Sequence, residues 1–274
     1  MTASERLEPV HRRGSDSGHE RARRRPDVPR GAVTAVDGVL VVDKPQGLTS
    51  HDVVGATRRL AATRKVGHAG TLDPMATGLL LLGIGRATRF LTYLVGADKT
   101  YEATVRLGAE TTTEDADGEI TATRGCRIED LSEDRLQEAL TALTGPIQQV
   151  PSAVSAIKID GVRAYQRIRD GQDVELRARP VTIHELRLTG EPRKAIVDGD
   201  GARSDGSGTV EAVDIDILVS CSSGTYVRAL ARDLGRALGC GAHLTALRRT
   251  AVGPFDIDEA HTLADLSAQV EADA

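Results

Sequence analysis

Apolar positions fall into two compact runs near the start of the ordered sequence, Gly38-Val39-Leu40-Val41-Val42-Asp43 and Leu79 to Ile84. Short unbroken runs of this kind predict strands covered on both faces. Pro45 and Gly47 turn the chain after the first run. Ser50 then predicts the N-cap of a helix through about Ala62, with Val53, Val54 and Leu60 facing inward. Residues 63 to 77, dense in Gly, Thr and His, predict a loop, and residues 86 to 95 a helix. Thr100 to Leu107 alternates, placing Tyr101, Ala103, Val105 and Leu107 on one strand face. A helix is expected over 132 to 143, and alternation predicts strands over 181 to 189 and 210 to 220. The Gly/Asp/Ser-rich stretch Glu191 to Gly208 between them predicts a mobile hairpin loop. From Gly224 to about Leu238, Leu230, Leu234 and Leu238 recur at four-residue spacing, as on an amphipathic helix. Strands and helices mix without a regular βαβ alternation, so the fold class is α+β rather than doubly wound.

Order is expected to begin near residue 36. Residues 1 to 35 are rich in Arg, Ser, Pro and Gly without apolar periodicity and predict a disordered basic tail. The 274 residues contain no Trp, four Tyr and two Phe, so the core must be aliphatic, and a tyrosine beside a chemical motif stands out. Cys126, Cys221 and Cys240 form no CxxC pair, which argues against a zinc site or disulfide framework and for reduced thiols. With no membrane-length apolar run and no secretory signal, the expectation is a cytoplasmic protein that does not enter a membrane.

A net charge of −5 argues, taken alone, against a polyanionic partner. Its distribution argues otherwise. Residues 44 to 106 carry nine Lys/Arg against four acids, and residues 226 to 249 carry five Arg against Asp233. A polyanion senses the field over a Debye length of roughly 8 Å, not the sum over the chain. Solvated helix faces remain the plain alternative.

The densest chemistry lies in Gly67-His68-Ala69-Gly70-Thr71-Leu72-Asp73-Pro74-Met75-Ala76-Thr77-Gly78. Its glycines permit close backbone approach to a ligand. Pro74 biases Asp73 towards an extended conformation. A carboxylate held this way is placed for chemistry or, alternatively, is a turn aspartate accepting backbone hydrogen bonds. A dinucleotide fingerprint fails, because Thr88 stands where Gly83-Ile84-Gly85 would need its third glycine.

The segment Gly67 to Leu80 closely resembles the active-site motif of the TruB-type pseudouridine synthases. Val42 to Ser50, Lys99-Thr100-Tyr101-Glu102, Pro151 to Lys158, Arg179 to Ile183, Gly224 to Arg228 and His243 to Arg249 are similar, in order, to further motifs of that family. The resemblance implies a mixed, largely antiparallel central sheet flanked by helices, with a catalytic domain over 36–255. The 256–274 remainder is expected to be a short remnant with a helix near 260 to 271, the usual C-terminal RNA-binding module being absent or truncated.

By the same resemblance Asp73 is the nucleophile and Arg228 the guanidinium that keeps it ionised. Tyr101 stacks on the flipped uracil, Tyr226 and Leu247 line its pocket, and His68 steadies the splayed RNA loop. Lys44 supports the motif loop or touches a phosphate. Flipping costs a few kcal/mol, which base stacking on one aromatic, roughly 1–3 kcal/mol, would largely offset. The reaction implied is cofactor-free and metal-free isomerisation of uridine 55 in the tRNA T-arm by a monomer without guide RNA. A guide-RNA-dependent relative and a tRNA-binding chaperone are the competing readings.

Overall fold

The computed structural model describes residues 26–152, 158–159, 162–163, 176–198 and 208–273. The chain starts with β1 (Gly38–Lys44), α1 (Ser50–Leu60), β2 (Val66–Ala69) and β3 (Thr77–Ile84). A 3-10 turn (Gly85–Arg89) and the short α2 (Leu91–Val95) lead to β4 (Lys99–Leu107). The hairpin of β5 (Ala109–Thr111) and β6 (Ile120–Thr123) is followed by α3 (Glu133–Ala142) and β7 (Gly145–Gln149). A two-residue ladder, β8 (Lys158–Ile159) with β9 (Val162–Arg163), precedes β10 (Arg179–Leu188), β11 (Arg193–Asp198) and β12 (Thr209–Cys221). The chain closes with α4 (Val227–Ala237), β13 (Ala242–Val252), β14 (Phe255–Asp256) and α5 (Leu263–Ala272).

The main sheet runs β1-β3-β13-β4-β12-β10-β7, with β2 on β3, β11 on β12 and β14 on β13. β3 and β13 run parallel; the other paired strands of this sheet are antiparallel. The α+β expectation and the mixed, largely antiparallel sheet therefore hold.

The unbroken apolar run in β3 has a direct cause. Leu80 and Leu82 enter the main core with Val53 of α1, while Leu79 and Leu81 enter a second cluster with Leu91 of α2 and Val252. Both faces of β3 are covered, so no position is left for a polar residue. β4 lies mid-sheet and alternates as expected, sending Tyr101, Ala103, Val105 and Leu107 into the core. In α4, Leu230, Leu234 and Leu238 of the turn that follows are all buried.

Several local expectations are corrected. Thr49, not Ser50, caps α1: its hydroxyl accepts from Asp52 N at 3.1 Å, and Asp52 Oδ2 accepts from Thr49 N at 2.9 Å. The loop expected over 63 to 77 contains β2, paired with β3 through Gly67 and His68. The helix expected over 86 to 95 is a 3-10 turn followed by five helical residues. Within Glu191 to Gly208, Arg193–Asp198 is a strand paired with β12, and residues 199–207 lie outside the described residues. Residues 1–25 of the expected tail also lie outside them. Residues 26–35 are docked, not loose: Val28 is buried, and Gly31 N and Ala35 N donate to Arg59 O and Ala61 O at 3.1 and 3.0 Å. Most of the Pro151 to Lys158 motif falls outside the described residues. The C-terminal helix is α5, against α1 and β1.

The parallel join of β3 and β13 pairs Gly78 with Arg249. Gly78 has φ +98°, and a Cβ there would lie 2.3 Å from the Arg249 carbonyl oxygen. Backbone meets backbone, so no rotamer change relieves the overlap. Gly78→Ala is expected to lose at least about 2 kcal/mol in denaturant unfolding; an unchanged midpoint would show that the join yields.

Candidate active site

Asp73 sits on the seven-residue link between β2 and β3, and the residues on either side of it are pinned. The buried Ser50 hydroxyl donates to Leu72 O at 3.1 Å and accepts from Leu72 N at 2.9 Å. After Asp73, the Pro74 carbonyl accepts from Gly47 N at 2.9 Å and from Lys44 Nζ at 3.4 Å. Leu72, Met75 and Ala76 are buried in the core. Asp73 keeps its carboxylate partly open, with 38% of its side chain exposed. The apolar residues of the motif thus anchor the loop, and Asp73 is what the anchored loop presents.

Lys44 has no exposed surface. Its ammonium also donates to Pro45 O and Leu48 O at 3.0 and 2.7 Å. Burial pulls its pKa down to about 8. Its ammonium thus faces three backbone carbonyls on and beside the motif loop.

Arg228, in the first turn of α4, reaches the carboxylate: Nε lies 3.0 Å from Asp73 Oδ2, and the arginine side chain is only 5% exposed. Its Nη1 lies 3.4 Å from Asp115 Oδ2 and donates to Thr113 O at 3.0 Å. Asp115 is buried and accepts from Thr113 Oγ1 at 2.5 Å and Asp117 N at 3.1 Å. One guanidinium therefore bridges two carboxylates. Burial pushes the Asp73 carboxyl above its usual range. Arg228 pulls it down, but Asp115 pushes it further up. Arg228 favours the charged form of Asp73, and burial together with Asp115 outweighs it.

The start of α4 is itself held. The Gln149 side chain accepts from Tyr226 N at 2.9 Å and donates to Tyr226 O at 3.2 Å. Tyr226 occupies the N-cap position without a side-chain cap bond, so the Gln149 amide does that work from β7.

Tyr101 faces Val219 on one side and Arg249 on the other. It is buried, which raises its pKa, and the neighbouring Arg249 guanidinium pulls it down. Arg249 is almost wholly buried and also donates to Leu79 O at 2.7 Å and Gly70 O at 3.3 Å. It thereby ties Tyr101 to the motif loop. Leu247 is buried one step along the same face, opposite Ala103.

His68 on β2 makes an edge contact with His51, ring centroids 5.5 Å apart. Its Nδ1 is buried without a hydrogen-bond partner. Burial, then His51, lowers its pKa, which keeps the ring neutral at pH 7. A cavity of about 540 Å³ is lined by Leu247, Met75, Thr77, Glu102 and Arg248 but by none of Asp73, Tyr101 and Arg228. This hollow adjoins the Asp73 loop through Met75 but does not include Asp73.

Asp115, Arg249, Gln149 and Ser50 as a loop clasp escape the sequence reading. Asp115 is hidden in Asp115-Ala116-Asp117-Gly118, an ordinary turn composition. Arg249 did carry a signal, because it shares strand parity with the apolar Leu247 and so points inward. Among the described residues, no group of three or more His, Cys, Asp or Glu could hold a metal ion, and no helix is long and apolar enough to cross a membrane.

Comparison with known proteins adds to this geometry. A family model described as TruB family pseudouridylate synthase (N terminal domain) matches residues 58–227. One described as tRNA pseudouridylate synthase B C-terminal domain matches residues 228–274. The chain is 58% identical over 236 residues to the tRNA pseudouridine synthase B of Paenarthrobacter aurescens (strain TC1), covering 86% of this chain and 71% of that protein. It is 53% identical over 230 residues to the protein of that name from Mycobacterium leprae (strain TN), covering 84% and 68%. Among solved structures, a Cbf5-Nop10-Gar1 complex contains a chain with TM-score 0.59 and 30% identity, matched over 84% of this chain. This chain spans only 54% of that one.

Removing Arg228 would leave Asp73 and Asp115 facing each other. Breaking a buried pair costs about 3–5 kcal/mol, and the solvent at Asp73 favours the lower end. Arg228→Met should therefore lose about 3 kcal/mol in denaturant unfolding. The Asp73 carboxyl, followed by carbon NMR, should titrate above 3.8 in the parent protein and higher still in the variant. A variant titrating lower than the parent would refute the electrostatic assignment.

Proposed function

This chain belongs to the TruB family of pseudouridylate synthases, isomerases that act on uridine in tRNA, and we propose that it converts uridine 55 of the tRNA T-loop with Asp73 as nucleophile. The observation that carries this reading is the carboxylate itself: presented by a loop pinned on both sides and touched at 3.0 Å by a buried guanidinium. Isomerisation breaks the bond between uracil N1 and ribose C1′ and forms one from C5 to C1′. C5 loses a proton and N1 gains one, so composition and oxidation state are unchanged. Asp73 is the nucleophile, and needs to be a carboxylate to act as one. The flipped uracil stacks at Tyr101, whose ring is fixed by Arg249, with Leu247 and Tyr226 closing the pocket and His68 steadying the splayed loop. The protein works in the cytoplasm as a monomer, and residues 36–255 form its catalytic domain. The family-model seam at 227/228 falls at the start of α4, between β12 and β13 of one sheet, and this supports that extent.

The guide-dependent and chaperone readings separate on one comparison. Purified parent protein and unmodified tRNA, with no guide RNA, should give pseudouridine at position 55 when modified sites are mapped. Asp73→Asn should slow turnover by roughly 10⁴-fold or more while retaining tRNA binding. Because the charged form of Asp73 is disfavoured by folding, its contribution to stability is present below the unfolded pKa of 3.8 and is lost as pH rises through the folded value. Asp73→Asn is therefore expected to melt no lower than the parent at pH 7. Turnover surviving in Asp73→Asn excludes the nucleophile, and a guide requirement excludes the stand-alone enzyme.

The charge reading narrows. Lys44, Lys99, Arg228 and Arg249 point inward. Arg58, Arg64, Lys65 and Arg89 are exposed with no acid within ion-pair distance among the described residues. About four phosphate contacts give a log–log salt slope of about −3 to −3.5 for tRNA binding, at roughly 0.7–0.9 per phosphate. A flat response would remove electrostatics from recognition.

A further inference from the structure

One turn beyond Arg228 on α4, Arg232 is only 12% exposed and is fully engaged. Its Nη1 donates to Glu114 Oε1 at 2.7 Å, its Nη2 to Val150 O at 2.8 Å and its Nε to Asp233 Oδ1 at 2.9 Å. Glu114 immediately precedes Asp115, the second carboxylate on Arg228. It carries two stability costs. Its φ is +61°, in the left-handed region that favours glycine, and its Oε2 is buried without a hydrogen-bond partner. Glycine would avoid both costs at this position, so the carboxylate is explained by what it holds rather than by the stability it adds.

What it holds is the turn that carries Asp115. The path from α4 through Arg228, Asp115 and Glu114 returns through Arg232 to α4, closing a ring of two ion pairs on one helix face. The Glu114 carbonyl also accepts from Leu244 N at 3.0 Å, tying the same turn to β13. Val150, which Arg232 grips, follows Gln149, the residue that fixes the backbone of Tyr226. A displacement of about 1 Å at a reacting group can cost roughly 100-fold in rate, and without this second tier the turn keeps its own hydrogen bonds and its backbone tie to Leu244 but has no side-chain link to α4 beyond Arg228 itself.

We propose that Arg232 and Glu114 are positioning residues for the isomerisation: their ion pair locks the 111–118 turn against α4, so that Asp115 holds Arg228 on Asp73. This rests on Asp73 being the reacting carboxylate, and the test keeps the two claims apart. Glu114→Gly suits the left-handed backbone and removes the orphan oxygen, so its thermal midpoint should equal or exceed the parent's. Its single-turnover rate on unmodified tRNA should nonetheless fall about tenfold, with tRNA affinity unchanged. Arg232→Ala should do the same, the double variant should be no slower than the slower single, and Glu114→Gln, which keeps an acceptor for Arg232, should recover most of the rate. On an Asp115→Asn background, Glu114→Gly should change the rate less than about twofold. Independently of activity, solvent exchange of the Arg228 Nε–H, read by nitrogen NMR, should be about tenfold faster in Glu114→Gly. Parent-like rate and exchange in Glu114→Gly would overturn the proposal, as would slowing undiminished on the Asp115→Asn background. A parent protein inactive on tRNA would instead sink the reading of Asp73, with the exchange measurement still deciding the positioning.

Discussion

A guanidinium buried between two carboxylates governs this architecture. Arg228 is too deeply buried to stand without a counter-charge, and it has Asp73 on one side and Asp115 on the other. Two acids against one base leave the cluster net negative. Burial first, and then Asp115, raises the Asp73 carboxyl even though a cation touches it. An acid raised in this way is less strongly solvated and more available to a substrate than one fully neutralised by its partner. The cluster demands accurate placement of parts distant in sequence: the loop between β2 and β3, the turn between β5 and β6, and the first turn of α4. Much of the rest of the fold can be read as meeting that demand. Ser50 and Lys44 hold the loop, Arg249 joins it to Tyr101, and Gln149 holds the start of α4.

The use of cations follows from the same constraint. A loop dense in glycine exposes its carbonyls to the interior, and buried carbonyls must find donors. Lysine and arginine supply several donors at the end of a long stem, so Lys44, Lys99 and Arg249 serve the backbone rather than the solvent. Clustered basic residues therefore overstate the field available to RNA. They mark where the interior is polar as much as where a polyanion would lie.

What could be read from the sequence, and what could not, divides along physical lines. β4 and α4 were legible because one face of each is buried and the other is not, so hydrophobicity carries the period. The motif around Asp73 was legible from its chemistry and its likeness to a family. β2 was not, because Gly67 and His68 pair with β3 through their backbones, and strand pairing of that sort leaves no hydrophobic trace. β11 was masked in the same way by charged side chains on an exposed edge. Ser50 has the composition of a cap, because a serine before an apolar turn usually is one. Here Thr49 has the capping geometry, and Ser50 is free to clasp Leu72. Asp115 was invisible because its role depends on Arg228, more than 100 residues away in sequence. A turn aspartate announces its local hydrogen bonds but not its distant partner.

Catalysis depends most directly on the protonation state of one side chain during the reaction. The decisive measurement is the pH dependence of the single-turnover rate of guide-free pseudouridine formation by the parent enzyme at saturating tRNA. If an elevated Asp73 carboxyl must be ionised to act, the rate will climb with pH along one acid limb whose midpoint lies above 3.8. A rate that is level across that range, or one that falls as the carboxyl ionises, would contradict it.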